Sequence, residues 1–226
     1  MQDFSATLRN SETYSELGGR KANNHGFYRR FGKRAVDISL VLMSAPIVII
    51  LLFPIMLLIA LDGGNPLYSQ LRLGRGGRSY RMWKLRSMVV DADQKLEAYL
   101  ASNPEADAEW RLNQKLKKDP RITKIGRLIR KTSLDELPQL WNVLVGDMSL
   151  VGPRPMMVCQ KDLYPSKDYF EMNPGITGAW QVSARNESTF EERATYDRKY
   201  LNDLSAKTDA MILVKTVGVV FKATGH

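Results

Sequence analysis

The stretch Ile38-Ser-Leu-Val-Leu-Met-Ser-Ala-Pro-Ile-Val-Ile-Ile-Leu-Leu-Phe-Pro-Ile-Met-Leu-Leu-Ile-Ala-Leu61 decides how this chain is built. It is apolar or small throughout, with Ser39, Ser44, Pro46 and Pro54 as its only interruptions. As a straight helix it would span ~36 Å, more than the roughly 30 Å of a bilayer's hydrocarbon layer. It begins too late, is too long and lacks a small-residue cleavage site, so a removable signal peptide is excluded. Its flanks are equally basic. Arg20, Lys21, Arg29, Arg30, Lys33 and Arg34 precede it, and Arg72, Arg75, Arg78, Arg81, Lys84 and Arg86 follow. Charge asymmetry then gives a single span no preferred orientation. If both flanks stay cytosolic, the segment enters and returns through one leaflet. Pro46 removes a helix hydrogen bond and favours a kink, and Ser44 stands where it can satisfy a freed carbonyl. The break is therefore placed at Ser44 and Pro46 in a re-entrant helix, with a single span as the alternative.

The rest of the chain bounds the chemistry. Its 226 residues fit one domain plus an anchor. A net charge of +9 and a pI near 9.6 point to an anionic partner: nucleic acid, anionic lipid or a phosphorylated substrate. A solvated basic face explains the charge equally well. Cys159 is the only cysteine, so no internal disulfide forms. The two histidines are His25, in a polar leader, and His226, the last residue. A Ser-His-Asp triad and a His/Cys zinc site are thereby excluded. Any metal must be oxygen-bound, which favours Mg²⁺ or Mn²⁺.

Composition and pattern predict an α+β fold, mostly helical. Met1–Asn24 reads as a mobile arm, and Gly63-Gly-Asn-Pro66 as a turn leaving the membrane. Leu67–Leu73 and Ser79–Leu85 read as strands joined through Gly74-Arg-Gly-Gly77. Helices are expected over Asp91–Ala101, Glu105–Leu116, Pro138–Val145, Glu187–Asn202 and Lys207–Ala223. A further helix places Ile122, Ile125, Leu128 and Ile129 on one face, framed by Lys124, Arg127, Arg130 and Lys131. That face suits either an anionic membrane surface or the core.

The chemistry concentrates around Lys131-Thr-Ser-Leu-Asp-Glu-Leu-Pro-Gln-Leu140. Eight Lys/Arg lie from Lys115 to Lys131, and Gly152-Pro-Arg-Pro155 follows. Ser133-x-x-Glu136 matches a capping box, in which the acids only stabilise a helix start. Pro138 argues against it, because a helix capped at Ser133 would put that ring past the first turn. A helix starting at Leu137 or Pro138 fits better. Asp135 and Glu136 then precede it and face its free N–H groups, where anions bind. Carboxylates there can attack phosphorus or hold a divalent ion on phosphate oxygens. Arg130 and Arg154 are the nearest guanidinium candidates in sequence, and Pro153 and Pro155 fix the backbone around Arg154. A stiff surface loop is the plainer reading of Pro-Arg-Pro. Lys84 and Arg86 point to one side of a strand-like run, as a phosphate-facing surface or a solvated edge. Trp180 stacks on a base or sugar, or lies in the core. Arg185 is a further phosphate candidate. A non-enzymatic, membrane-tethered basic module binding lipid or nucleic acid also explains charge and anchor. It does not explain an acid pair among the cations, since carboxylates repel a phosphate backbone.

These blocks resemble the bacterial sugar transferases, the monotopic phosphoglycosyl transferases. The matching segments are Lys33-Arg34-x-x-Asp37, Tyr80-Arg-Met-Trp-Lys-Leu-Arg-Ser-Met88, Asp119-Pro-Arg-Ile-Thr-Lys-Ile-Gly-Arg127, Ser133–Leu140, Gly146–Pro155 and Pro174–Asn186. In length and wording the chain is most similar to small members that start exopolysaccharide repeat units, including undecaprenyl-phosphate galactose phosphotransferases. The resemblance implies a ping-pong transfer of hexose 1-phosphate, galactose or glucose, from a UDP-sugar to undecaprenyl phosphate, with release of UMP. It implies Asp135 as nucleophile and Glu136 as metal-side or activating partner, with Mg²⁺ as cofactor. Lys84, Arg130 and Arg154 match phosphate-binding positions, and Asp209 a further acid. It places the protein in one leaflet of the bacterial inner membrane, at the cytoplasmic face, with no nucleic acid partner and a homodimer left open. The domains then read as an arm at 1–32, a re-entrant helix at 33–62 and a cytosolic catalytic domain at 63–226. The chain departs from the family pattern at Ser44-Ala-Pro46, where serine commonly precedes the proline directly. It departs again at Ala184-Arg-Asn186, where glycine commonly stands first.

Overall fold

Leu67–Leu73 (β1) and Ser79–Leu85 (β2) pair antiparallel, Leu67 opposite Leu85 and Leu73 opposite Ser79, with the boundaries expected from the sequence. The computed structural model describes residues 26–113, 116–183 and 189–221. The expected arm, apart from its last few residues, and the Ala184-Arg185-Asn186 segment lie outside them. Tyr80 and Met82 alternate out of the hairpin into a core cluster with Val41, Val143 and Met148. This is the period-2 burial of a half-covered strand.

The apolar stretch forms one helix, α1, at Lys33–Leu61, entered through a π turn at Tyr28–Gly32. It runs through both Pro46 and Pro54. The carbonyl that Pro46 leaves without a helical donor is that of Leu42. The Ser44 hydroxyl instead donates one residue earlier, to the Val41 carbonyl at 3.0 Å. Both ends of α1 are bound to the same domain. At the N-terminal end Arg34 donates to the carbonyls of Val143 and Leu144. Asp37 accepts from the Ser149 hydroxyl at 2.7 Å and from the Leu150 N–H at 3.1 Å. At the C-terminal end Ile59 packs with Leu85 and Ile129, and Arg86 donates to its carbonyl at 2.9 Å. Between these anchors Met43, Ile47, Ile49, Ile50 and Phe53 are exposed. A continuous apolar surface of this kind is one that water disfavours and lipid accepts.

Helices α2 (Ala92–Ser102) and α3 (Pro104–Asn113) meet at Asn103, as the Asn-Pro pair predicts. In α4 (Lys124–Lys131) Thr123 caps the start, accepting the Gly126 N–H at 2.8 Å. Ile129 is buried and Ile125 packs beside it against Ile59 and Leu85, so this part of the amphipathic face serves the core. Leu128 remains exposed. Helix α5 (Gln139–Val145) ends at Gly146, whose φ of 95° is the left-handed cap glycine adopts most easily.

Two three-residue strands, β3 (Ser149–Val151) and β4 (Gly175–Thr177), pair in parallel. Gly152 lies against this pair so closely that a Cβ on it would stand 2.4 Å from the Asn173 carbonyl oxygen. The strands are joined to the following Pro-Arg-Pro loop by the Gly175 N–H, which donates to the Pro153 carbonyl at 2.8 Å. Helix α6 (Arg193–Asn202) ends where expected, and Glu187, its expected start, lies outside the described residues. Thr189 and Glu192 exchange side-chain and backbone bonds at 2.8 and 3.2 Å, a capping box whose first turn is not yet α-helical. The helix is less polar than expected, burying Ala194, Tyr200 and Leu201 together with Arg193 and Asp197. Helix α7 (Ala206–Phe221) ends the described chain. Helices with two small sheets make the mostly helical α+β fold that the pattern predicts.

Candidate active site

The acid pair sits in a single 3₁₀ turn, Leu134–Glu136, between α4 and α5. The capping-box alternative does not hold. Ser133 is left-handed at φ 57°, and its hydroxyl makes no capping bond. The helix begins after Pro138, so the acids precede it, as the proline argument predicts. Ser133 is the one non-glycine residue with positive φ among those described, so the backbone is bent here at some cost.

Asp135 is only 8 % exposed. Lys84, reaching in from β2, stands 3.7 Å from its Oδ2 and bonds Glu136 Oε1 at 2.8 Å. Burial raises the Asp135 carboxyl above the usual range. The Lys84 charge opposes that shift, Glu136 adds to it, and Arg130 opposes it again. A carboxylate so held is poorly solvated, which keeps it reactive.

Beside the acids opens a cavity of about 260 Å³, lined by Ser133, Glu136, Leu137 and Leu140 on one side and Arg154 on another. Thr177, Gln181 and Thr216 supply its remaining polar wall, and Ile176, Val182 and Val219 its apolar one. Thr177 and Thr216 share a hydroxyl hydrogen bond at 2.7 Å. Pro153 is fully buried, and Pro-Arg-Pro is bonded to the β4 segment. It is therefore a fixed wall and not a free surface loop. Behind it Arg193 donates to the Arg154 carbonyl, and both guanidiniums lie over the Trp180 ring, at 5.7 and 6.0 Å.

The fold brings together Asp135, Glu136, Lys84, Arg130 and Arg154 and leaves two expected site residues elsewhere. Arg86 turns to the end of α1. Asp209 is buried at the root of α1, accepting from Tyr28 at 2.7 Å, Lys33 at 2.7 Å and Tyr200 at 2.6 Å. Arg185 lies outside the described residues. Residues that sequence reasoning passed over are Thr177, Gln181, Thr216 and Arg193. Thr177 and Gln181 lie within the Pro174–Asn186 block, but nothing in the local sequence marks Thr216, which reaches them only because α7 packs on β4. Arg193 follows the Thr189-x-x-Glu192 box and could have been found as a cation at a helix start, where the dipole disfavours it.

For a divalent ion, the protein offers the two adjacent carboxylates. Among the described residues no group of three or more His, Cys, Asp or Glu comes together. One or two carboxylates together with substrate phosphates are a donor set that Mg²⁺ commonly takes.

One fold thus combines a long, largely exposed apolar helix rooted at both ends with a buried carboxylate beside Lys84. The chain belongs to the bacterial sugar transferase family, whose profile matches residues 28–223. It is 48 % identical over 202 residues to a UDP-galactose-lipid carrier transferase of Erwinia amylovora, covering 87 % of this chain and 42 % of that protein. It is 46 % identical over 202 residues to the undecaprenyl-phosphate galactose phosphotransferase of Salmonella typhimurium, again 87 % and 42 %. To the exopolysaccharide production protein ExoY of Rhizobium meliloti it is 39 % identical over 200 residues, covering 85 % and 87 %. The chain thus spans about two fifths of the length of the first two relatives and most of the third.

Proposed function

We propose that this protein transfers a hexose 1-phosphate, galactose or glucose, from a UDP-sugar to undecaprenyl phosphate at the cytoplasmic face of the bacterial inner membrane. This would be the first membrane step of an exopolysaccharide unit. The observation that carries the reading is the buried Asp135 beside Lys84, next in the chain to Glu136, which lines a cavity together with Arg154. The family membership and the names of the relatives support the same chemistry.

In the first half-reaction an Asp135 carboxylate oxygen attacks the phosphorus that bears the sugar. The P–O bond to UMP breaks, and an aspartyl phosphosugar forms. In the second, a phosphate oxygen of undecaprenyl phosphate attacks the same phosphorus and the Asp135 carboxylate leaves. The product is the diphosphate-linked lipid sugar, and no net proton is consumed. Lys84, Arg130 and Arg154 hold and neutralise phosphate oxygens. Asp135 and Glu136 would hold Mg²⁺, with Mn²⁺ as substitute, and the ion bound there would offset charge on the diphosphate.

The same reading makes α1 re-entrant. Val41 near its N-terminal end packs with Tyr80 and Met82 and Ile59 at its C-terminal end with Leu85, all three partners on β2, while Met43, Ile47, Ile50 and Phe53 between them are exposed. One domain on one side of the bilayer accounts for both contacts. A homodimer is compatible with this arrangement.

A panel of UDP-sugars with undecaprenyl phosphate, scored by UMP release, tests the function. Intact-protein mass spectrometry with UDP-sugar alone tests the intermediate. A phosphohexose adduct that disappears in Asp135→Asn is expected. Full activity of that variant, with no adduct on the parent protein, would overturn the reading.

A further inference from the structure

Arg193 is buried to 4 % exposure, in a fold that otherwise leaves most of its cations on the surface. Its carboxylate partner is Asp197, one turn on along α6, with Arg193 Nε 3.9 Å from Oδ2. Asp197 in turn accepts the Tyr164 hydroxyl. Burial pushes the Asp197 carboxyl up to about 6 against the pull of Arg193. Burying a charge this deeply costs several kcal/mol before pairing. An apolar side chain of the same length would serve packing alone at less expense.

What the guanidinium does with that position is specific. It donates to the backbone carbonyl of Arg154. Its Cζ lies 5.7 Å from the centroids of both the Trp180 and the Phe190 ring. The Arg154 guanidinium lies 6.0 Å from the Trp180 centroid. Trp180 is thereby in cation–π contact with two guanidiniums, of which one is buried and anchored and the other reaches the cavity that Glu136 lines. Such contacts are worth about 0.5–2 kcal/mol each and are directional. A rigid fork can hold a carbonyl and a ring face at once, which an ammonium cannot.

We propose that Arg193 is a positioning residue for phosphate transfer: through the Arg154 carbonyl and the Trp180 ring it fixes the direction in which Arg154 meets the substrate phosphate. The inference rests on the function proposed above. Arg193 touches no reacting atom and acts only through the loop it holds.

The test is a double-mutant cycle. The hydrogen bond is to the Arg154 backbone, so Arg154→Ala preserves it while deleting the side chain that it aims. With UDP-sugar and undecaprenyl phosphate, Arg193→Gln is expected to lower kcat/KM by up to about 100-fold in the parent background. In the Arg154→Ala background the same change is expected to act within about twofold. Equal losses in both backgrounds, or no loss in the parent, would overturn the inference. If Arg193→Gln fails to fold, as judged by its thermal transition in nanodiscs, Arg193→Lys runs through the same cycle, since it keeps the buried charge against Asp197 and loses only the fork. A parent protein that releases no UMP from any UDP-sugar would defeat the proposed function. An active parent with an additive cycle would defeat this inference alone.

Discussion

Two buried clusters of acid and base, one at the root of α1 and one at the acid-pair turn, are built on opposite principles. At the root of α1, Asp209 accepts from three donors, Tyr28, Lys33 and Tyr200, and Asp37 from two, Ser149 and the Leu150 N–H. Donors within 3.1 Å meet these carboxylates from several elements. At the acid-pair turn, Asp135 is nearly as buried, yet Lys84 stands 3.7 Å away and gives its short bond to Glu136. The first cluster spends its polar groups on fixing a helix to a domain. In the second, Lys84, Arg130 and a backbone hydrogen bond offset the burial of Asp135 only in part, and its carboxyl stays raised. Burial raises Asp37 as well, so burial by itself does not separate an anchor from the proposed nucleophile; the number of hydrogen-bond donors that meet each acid does.

The largest expected effect breaks the second cluster. On the proposed mechanism Asp135→Asn should lower transfer by about 10³-fold or more, because the proposed nucleophile is gone. The fold should hold or gain stability, since an amide costs less to bury than a poorly paired carboxylate. Thermal unfolding in nanodiscs alongside UMP release separates the two quantities. A large fall in stability would place Asp135 with the anchors.

Next comes the first cluster. Asp209→Ala leaves the half-buried Lys33 without its carboxylate and the Tyr28 hydroxyl without its acceptor, while Tyr200 keeps only its 3.2 Å bond to the Val151 carbonyl. A loss of about 3 kcal/mol in stability is expected. The residual activity should track the folded fraction, with KM for the donor sugar nucleotide unchanged. A raised KM at unchanged stability would move Asp209 into the substrate site and undo the contrast.

A third change sharpens the electrostatics. Burial raises the Asp135 carboxyl, and the Lys84 charge is the largest influence pulling it back. The attacking form is the deprotonated one, so adduct formation should fall on the acid side as Asp135 takes up its proton. Lys84→Met removes the opposing charge, and the acid limb of the pH–rate profile should move to higher pH. A limb that stays in place or moves down would mean that Lys84 does not act on Asp135.

The two clusters were unequally legible in the sequence. The turn could be read because Pro138 breaks the capping-box pattern locally, within five residues of Ser133. The hairpin could be read because its strands alternate and Gly74-Arg-Gly-Gly77 punctuates them. The root of α1 could not, because Tyr28, Asp37, Ser149, Tyr200 and Asp209 come from distant parts of the chain and meet only through packing. The family resemblance names Asp209 as a further acid, and the strand pattern offers Arg86 for a phosphate-facing surface or a solvated edge; the tertiary structure sends one to Tyr200 and the other to the Ile59 carbonyl. The parallel pairing of Ser149–Val151 with Gly175–Thr177 was invisible, since three residues carry no period. Yet that pairing sets the Pro-Arg-Pro loop against the cavity.

The smallest expected effect tests whether the acid turn is strained as well as under-compensated. Ser133 holds φ at 57°, a conformation that costs an L-residue with a Cβ roughly 1–2 kcal/mol. Glycine adopts it freely but loses more freedom on folding, roughly 0.5–1 kcal/mol. Ser133→Gly should therefore stabilise the protein by about 0.5 kcal/mol, a rise of about 1–2 °C in Tm. The gain would come at the turn that sets Asp135. The Ser133 carbonyl accepts the Glu136 N–H at 3.2 Å, so a looser residue 133 loosens the frame of both acids. Transfer should then slow severalfold while Tm rises, the opposite pairing from Asp209→Ala, where both fall together. A lower Tm for Ser133→Gly would show that the serine side chain stabilises the turn, and the acid pair would then differ from the anchor cluster in electrostatics alone.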